Sequence, residues 1–296
     1  MGVDGWWPDE GDPLDIISRL TRNRMHWEGP QIDRPNERPY ALHRNGYAGM
    51  QRFASFLWSG DVYSTWETLK TQVAIGINAS LSGIPYWGTD IGGFVPTPEF
   101  TAELYLRWFQ FGTFCTLFRS HGRTWKLRLP WGWNTGDPGP VEIRNYDGAA
   151  VPDASQLHNP QVEPICRKYL ELRYRMLPYL YSTVHECATT GMPIMRALWL
   201  HYPDDPVAVS RADEYLWGAK SWLRQWLRKV RQPAPSICLV VIGMTSGRMM
   251  EWRDPARSKG LSILRPCRSL SRLERFCPLA RSSNTQPKTQ ICLSRF

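Results

Sequence analysis

Two aspartates stand where a side chain could do acid–base chemistry. Asp9 follows the apolar stretch Val3–Trp7 in DGWWPDEGD, and Asp61 follows Phe53–Gly60 in WSGD. Opening a glycosidic bond needs one protonated carboxyl group for the leaving oxygen and one carboxylate to attack the anomeric carbon or activate water. Aromatic surroundings and a nearby arginine are the usual means of setting two such acids apart. Each aspartate taken alone also fits an ordinary turn or helix cap.

Three more residues have the chemistry to hold a polyol. Asp90 in GTDIGGF could accept two hydroxyls or serve as a turn aspartate. Arg44 in HRNGYAG could hold a carboxylate or a hydroxyl, or make a structural ion pair, and His121 in FRSHG could bind or be structural. Of the 15 tryptophans, 10 precede residue 134. They can be core, and they can also offer flat faces to the C–H surface of a sugar, with Trp58 and Trp87 lying within three residues of Asp61 and Asp90. A glycine-rich phosphate loop, HExxH and GxSxG are missing, so nucleotide, zinc-protease and α/β-hydrolase readings have no support.

The elements that must position these residues alternate strand, loop and helix. Val3–Trp7, Tyr40–Tyr47, Phe53–Gly60 and Ile84–Trp87 read as strands, followed by Cys115–Phe118, which leads to Arg119 and His121. Pro13–Asn23 reads as a loop and short helix, and residues 27–38 as a loop. Ser64–Leu81 has helical spacing with a Ser64/Glu67 capping box, and Thr97–Phe111 is helical with Pro98 in its first turn. A segment from about Pro130 to Asn159, dense in Pro, Gly, Asp and Trp, has the length of a lid or substrate-facing insertion. Gln161–Thr189 is a long amphipathic helix stopped by Gly191, and Pro193–Leu200 a last strand. The pattern predicts an α/β fold of parallel βα units, with functional side chains at the carboxyl ends of the strands.

The formal charge of the 296 residues is +9, but Ala219–Phe296 holds 12 Arg and 4 Lys against 3 acidic residues, a net +13 that leaves −4 for the first 218 residues. A mildly acidic body excludes nucleic acid as its partner. Cys115, Cys166 and Cys187 read as buried thiols, and no cysteine or histidine spacing suggests a metal site. The N-terminus has no secretory pattern and no apolar run is long enough to span a bilayer, so the expected location is cytoplasmic, with no membrane partner. From Ala219 the chain turns basic and patternless, as a shifted reading frame or a disordered tail would. Alternatively, Trp222, Leu223, Trp226, Leu227 and Val230 could form the apolar face of a basic amphipathic helix.

In the order DGWWPDEGD, HRNGYAG, WSGD, WGTDIGGF, FRSHG, and then RYRMLPYLY, GMPIMRALWLHYPDD and DEYLWG, the chain resembles glycoside hydrolase family 31, the α-glucosidases and α-xylosidases. The resemblance covers about residues 1–218. It implies Asp9 as nucleophile and Asp61 as acid/base of a retaining α-glycosidase acting on an oligosaccharide or glycoside. Arg44, Asp90 and His121 would hold the glycone, with Trp58 and Trp87 lining the pocket, and no cofactor or metal is implied. It also implies a partial eight-stranded barrel, about strands four to eight, over residues 1–202. A C-terminal β-domain would begin at 203–218, with 219–296 unlike the family. The other reading open at this point is a non-catalytic carbohydrate-binding remnant or an unstable gene-model product.

Overall fold

The computed structural model describes residues 4–219, 221–224 and 240–243, all within one compact unit, Met1–Met249. Its centre is a parallel sheet of β1 (Ala41–His43), β2 (Ser55–Trp58) and β3 (Trp87–Gly88) in that order. Single parallel bridges extend it on both sides, Trp6 to Ala41 and Asp90 to Arg119. The expected strand around Val3–Trp7 is thus a bridge at Trp6, tied by Trp6 N–H to Tyr40 O and Leu42 N–H to Trp6 O, both 2.9 Å. The first three residues lie outside the described ones.

Register decides which side chains can meet. Leu57 pairs with both His43 and Trp87, while Trp58 pairs with Gly88. Successive residues of a strand point to opposite faces, so Trp58 shares one face with Leu42 and Leu117, against which it packs. His43 and Trp87 belong to the other face, which the helices cover.

Helix α1 (Ile16–Asp33) backs β1, with His26 edge-on to His43 at 5.4 Å. It runs through much of the stretch expected to be loop, with Pro30 inside it. Proline removes one helical donor, yet the turn around it persists, Arg34 N–H reaching Pro30 O at 2.9 Å. Helix α2 (Trp66–Leu81) is capped by Thr65, whose hydroxyl accepts the Thr68 N–H at 3.1 Å, and not by Ser64 as expected. Thr97 and Pro98 lie outside α3 (Ala102–Thr113), because Thr97 and Glu99 are used to close the entry to α2. Thr97 donates to Ser64 O at 2.7 Å and the Glu99 carboxylate accepts the Trp66 N–H at 2.9 Å.

All of α3 except Glu103 is buried, the pattern of a helix enclosed on every side. The 29-residue α4 (Val162–Thr190) packs on it and ends at Gly191, which takes φ +76°. From α4, Arg173 donates to the carbonyls of Thr113, Cys115 and Thr116 at 2.7, 2.8 and 3.1 Å. A cation there satisfies the carbonyl of Thr113, the last residue of α3, together with two just past the helix end, and fixes the segment that leads to Arg119 and His121. Cys115 and Cys166 are buried as expected, whereas Cys187 is half-buried.

β4 (Met195–Ala197) lies where a last strand was expected, but its pairing is antiparallel, to β5 (Glu214–Trp217). A short helix, α5 (Pro206–Ser210), connects them. The sheet continues through β6 (Ser221–Arg224) and β7 (Val240–Gly243), also antiparallel. Trp222 and Leu223 are therefore in a strand and not at the start of a helix. The remainder of the basic segment, including Trp226, Leu227 and Val230, lies outside the described residues. Among the described residues no helix is long and apolar enough to cross a membrane.

Candidate active site

The turn that carries Asp9 is strained and braced. Glu10 takes φ +63° and Gly11 φ +87°. The left-handed region is costly for a non-glycine residue and persists where neighbours over-determine it. Arg22 of α1 supplies the bracing, donating to Glu10 O at 2.6 Å and Asp9 O at 2.5 Å, and Asn45 adds a bond to Glu10 O at 3.1 Å. Asp9 is thereby pointed away from the helix and toward the end of β1.

Arg44, the residue after β1, joins the two candidate carboxylates. Its Nη1 lies 2.8 Å from Asp61 Oδ1 and 3.4 Å from Asp9 Oδ1, and its Nε lies 2.9 Å from Asp12 Oδ2. Two oxygens bound to one nitrogen are no further apart than the sum of their distances to it. That bound keeps the two carboxylates close enough to act on one glycosidic bond from its two sides. Burial works against the charge on Arg44, but Asp61 and Asp12 outweigh it and hold the guanidinium above its ordinary range. Asp61 takes a second bond on its other oxygen, from the Tyr146 hydroxyl at 2.7 Å.

A second group lies deeper. Asp90 is fully buried, 3.2 Å from Arg119 Nε. Burial pushes its carboxyl up to about 7, against the pull of Arg119 and Arg128. Burial also lowers Arg128, to about 9. Among the described residues neither oxygen of Asp90 has a hydrogen-bond partner, and neither do Arg119 Nη1 and Nη2, Arg128 Nε and Nη1, or Trp58 Nε1. Buried polar groups are rarely left so, and here several are gathered around one buried carboxylate. Gly92, at φ +91°, permits this packing, since a Cβ there would come within 2.9 Å of Arg128 Nη1.

Aromatic rings wall the two groups. Arg119 stacks on Trp7 and Trp58, its guanidinium carbon 4.4 and 5.0 Å from their ring centroids. His121 stands edge-on to Trp7 at 4.9 Å and beside Phe94 at 5.2 Å. Burial, and then Arg119 and Arg128, push His121 down to about 4, so its imidazole is neutral at pH 7 and keeps both a donor and an acceptor. A cavity of about 670 Å³ opens among Trp6, Trp7, Tyr40, Leu42, Arg119 and His121.

Of the residues singled out in the sequence, Asp9, Asp61 and Arg44 meet directly, while Trp58, Asp90 and His121 meet through Arg119. Trp87 does not join them. In register with Leu57, it points to the helix face, where a Cβ on Gly76 of α2 would lie 2.7 Å from its ring. Sequence reasoning also missed Asp12, Arg119, Arg128 and Tyr146. Arg119 stands two residues before His121 inside FRSHG, and Tyr146 lies in the segment read as a lid; for Asp12 the only signal was its place in the acidic turn.

Acidic and basic side chains gathered where parallel strands of an α/β sheet end are the arrangement of a barrel-type enzyme site. The chain belongs to glycosyl hydrolase family 31, whose TIM-barrel domain matches residues 1–183. It is 36% identical over 244 residues to an α-xylosidase of Saccharolobus solfataricus, covering 74% of this chain and 30% of that protein. To α-glucosidase 2 of Bacillus thermoamyloliquefaciens it is 35% identical over 246 residues, covering 74% and 28%. Among solved structures it resembles the dextranase FjDex31A of Flavobacterium johnsoniae, complexed with glucose. The TM-score is 0.61 at 29% identity, covering 77% of this chain and 29% of that one. An α-xylosidase from a soil metagenome, complexed with xylose, gives a TM-score of 0.57 at 33% identity over 70% of this chain and 30% of that one. The chain thus spans about 30% of the length of these relatives.

Proposed function

We propose that the chain acts as a retaining α-glycosidase on terminal α-linked glucosyl or xylosyl residues. The observation that carries this reading is the single Arg44 nitrogen shared by Asp9 and Asp61. An Asp9 oxygen bonds to the anomeric carbon as the glycosidic C–O bond breaks, and the proton of Asp61 passes to the leaving oxygen. Asp61 then takes a proton from water, whose oxygen displaces Asp9 and frees the sugar with its configuration retained. Arg44 holds both carboxylates in place, while Asp90, Arg119 and His121 take the sugar hydroxyls against the Trp58 and Trp7 rings. In this reading residues 1–202 are about strands four to eight of an eight-stranded barrel, and the antiparallel strands from Met195 onward open a β-domain.

Release of 4-nitrophenol from an α-glucoside or α-xyloside by the purified chain tests this. Turnover that disappears in Asp9→Asn, and that azide restores in Asp61→Ala through a glycosyl azide, supports it. Sugar binding without turnover in the unaltered chain would overturn it in favour of a non-catalytic carbohydrate-binding protein.

A further inference from the structure

The peptide unit between Asp9 and Glu10 is held from both sides. A trans peptide is planar, with its C=O and N–H pointing opposite ways. On one side Arg22 Nη2 donates to Asp9 O at 2.5 Å. On the other, Glu10 N–H turns back and donates to Asp9 Oδ1 at 2.9 Å. The bond from α1 thus sets the plane whose far edge holds the carboxylate of the same residue.

The same guanidinium holds the next peptide unit. Arg22 Nη1 donates to Glu10 O at 2.6 Å, and Glu10, between the two units, keeps φ +63°. Released from that grip, a glutamate leaves the left-handed region for an extended or right-handed one, and the Asp9–Glu10 plane turns with it. Gly11 makes room for the fork, since a Cβ there would strike Arg22 Nη1.

Among the described residues the hydrogen bonds to the Asp9 carboxylate both fall on Oδ1, from Glu10 N–H and, at 3.4 Å, from Arg44 Nη1. The lone pairs of Oδ2 are left for another partner. We propose that Arg22 is a positioning residue for the nucleophile: by fixing the two peptide units around Glu10 it commits Oδ1 to hydrogen bonds and leaves Oδ2 as the oxygen that attacks the anomeric carbon. The inference rests on the glycosidase reading given above. As the bond from Oδ2 to the anomeric carbon forms, the bond from that carbon to the leaving group breaks, and the leaving group departs with the electron pair. A guanidinium stays charged throughout, so the part played by Arg22 is geometric and involves no proton transfer.

A 5-fluoro-α-glucosyl or 5-fluoro-α-xylosyl fluoride isolates this step, because fluoride leaves without a proton and the ring fluorine slows release of the sugar from the nucleophile. The unaltered chain is labelled on Asp9. In Arg22→Ala the maximal labelling rate falls about 10²-fold, the scale of a misplaced reacting group, while the concentration giving half that rate stays within about threefold. Arg22→Lys, which keeps a donor for the Asp9 carbonyl, recovers about tenfold of that loss. Should Arg22→Ala not fold, the comparison is made in a Glu10→Gly background, where glycine takes φ +63° without strain, and a fall of about tenfold or more is still expected. In a crystal structure of the labelled chain the sugar sits on the Asp9 oxygen that does not receive Glu10 N–H.

A labelling rate within about twofold of the unaltered chain in Arg22→Ala, or a changed half-maximal concentration with the rate unmoved, overturns the positioning role. So does a loss as deep in Arg22→Lys as in Arg22→Ala. A sugar found on the oxygen that receives Glu10 N–H overturns the choice of oxygen. Each of these leaves the glycosidase reading standing, whereas an unaltered chain that takes no label overturns that reading and this inference with it.

Discussion

The two acidic groups of the site solve opposite problems. Around Asp9 and Asp61 the carboxylates are partly open, 40% and 22% exposed, and one guanidinium serves them together with Asp12. Around Asp90 the carboxylate is wholly enclosed, and two arginines face it with much of their hydrogen-bonding capacity unmet among the described residues. Open carboxylates held by one shared guanidinium are oriented and still within reach of a substrate. Enclosed charges without full partners gain most from a ligand that completes them. One group is suited to meet the reacting bond, the other to hold a hydroxylated ring still.

The largest effect that could break this contrast is on turnover. Asp9→Asn or Asp61→Asn lowers kcat by roughly 10²–10⁴-fold, whereas Asp90→Asn acts first on KM; a kcat loss as deep from Asp90→Asn, with KM unmoved, would erase the distinction. Trp87→Ala, on the helix face, costs about 3–5 kcal/mol of stability in denaturant unfolding, and in the fraction still folded the KM for a glycoside is unaltered. Arg44→Met leaves both carboxylates without their common partner and lowers kcat by about a hundredfold, the scale of a misplaced catalytic group. Gly93→Ala, at φ +77° and against Ser64, destabilises by about 1–3 kcal/mol.

The smallest effect is on pH dependence. Burial holds His121 at about 4 against an ordinary 6.5, so in that window the unfolded chain binds the extra proton. The His121 contribution to stability is present above about 6.5 and lost as pH falls through about 4. Asp90, raised to about 7 from 3.8, has the opposite sign over much of the same range. Unfolding free energy measured between pH 7 and 4 therefore declines less in His121→Asn than in the unaltered chain; an equal decline would show that His121 is not held neutral.

Much of this contrast was legible in the sequence, though unevenly. WSGD, HRNGYAG and the acidic turn named the open group because each acid or arginine directly follows an apolar run, and the end of a strand is a predictable place. The enclosed group was half seen. Asp90 and His121 stood out among glycines, but Arg119 and Arg128 did not, because an arginine facing a buried acid reads in sequence like any surface arginine. Trp87 was misassigned for a simple reason. Trp58 and Trp87 have similar neighbours along the chain, but the pleat puts residues of even and odd register on opposite faces, and the register was fixed only by pairing across the sheet.

Local chemistry along the chain determined the order of the elements, the α/β class, and which acids stand at strand ends, since apolar periodicity and glycine or threonine stops act over a few residues. Helix limits near Pro30 and Pro98 were decided elsewhere, by what those segments bond to. Only the tertiary structure brought the Asp61 carboxylate to Tyr146, 85 residues along the chain, and placed Arg173 of one helix on the last carbonyl of another. Contacts of that range depend on how whole elements pack, and no stretch of sequence carries them.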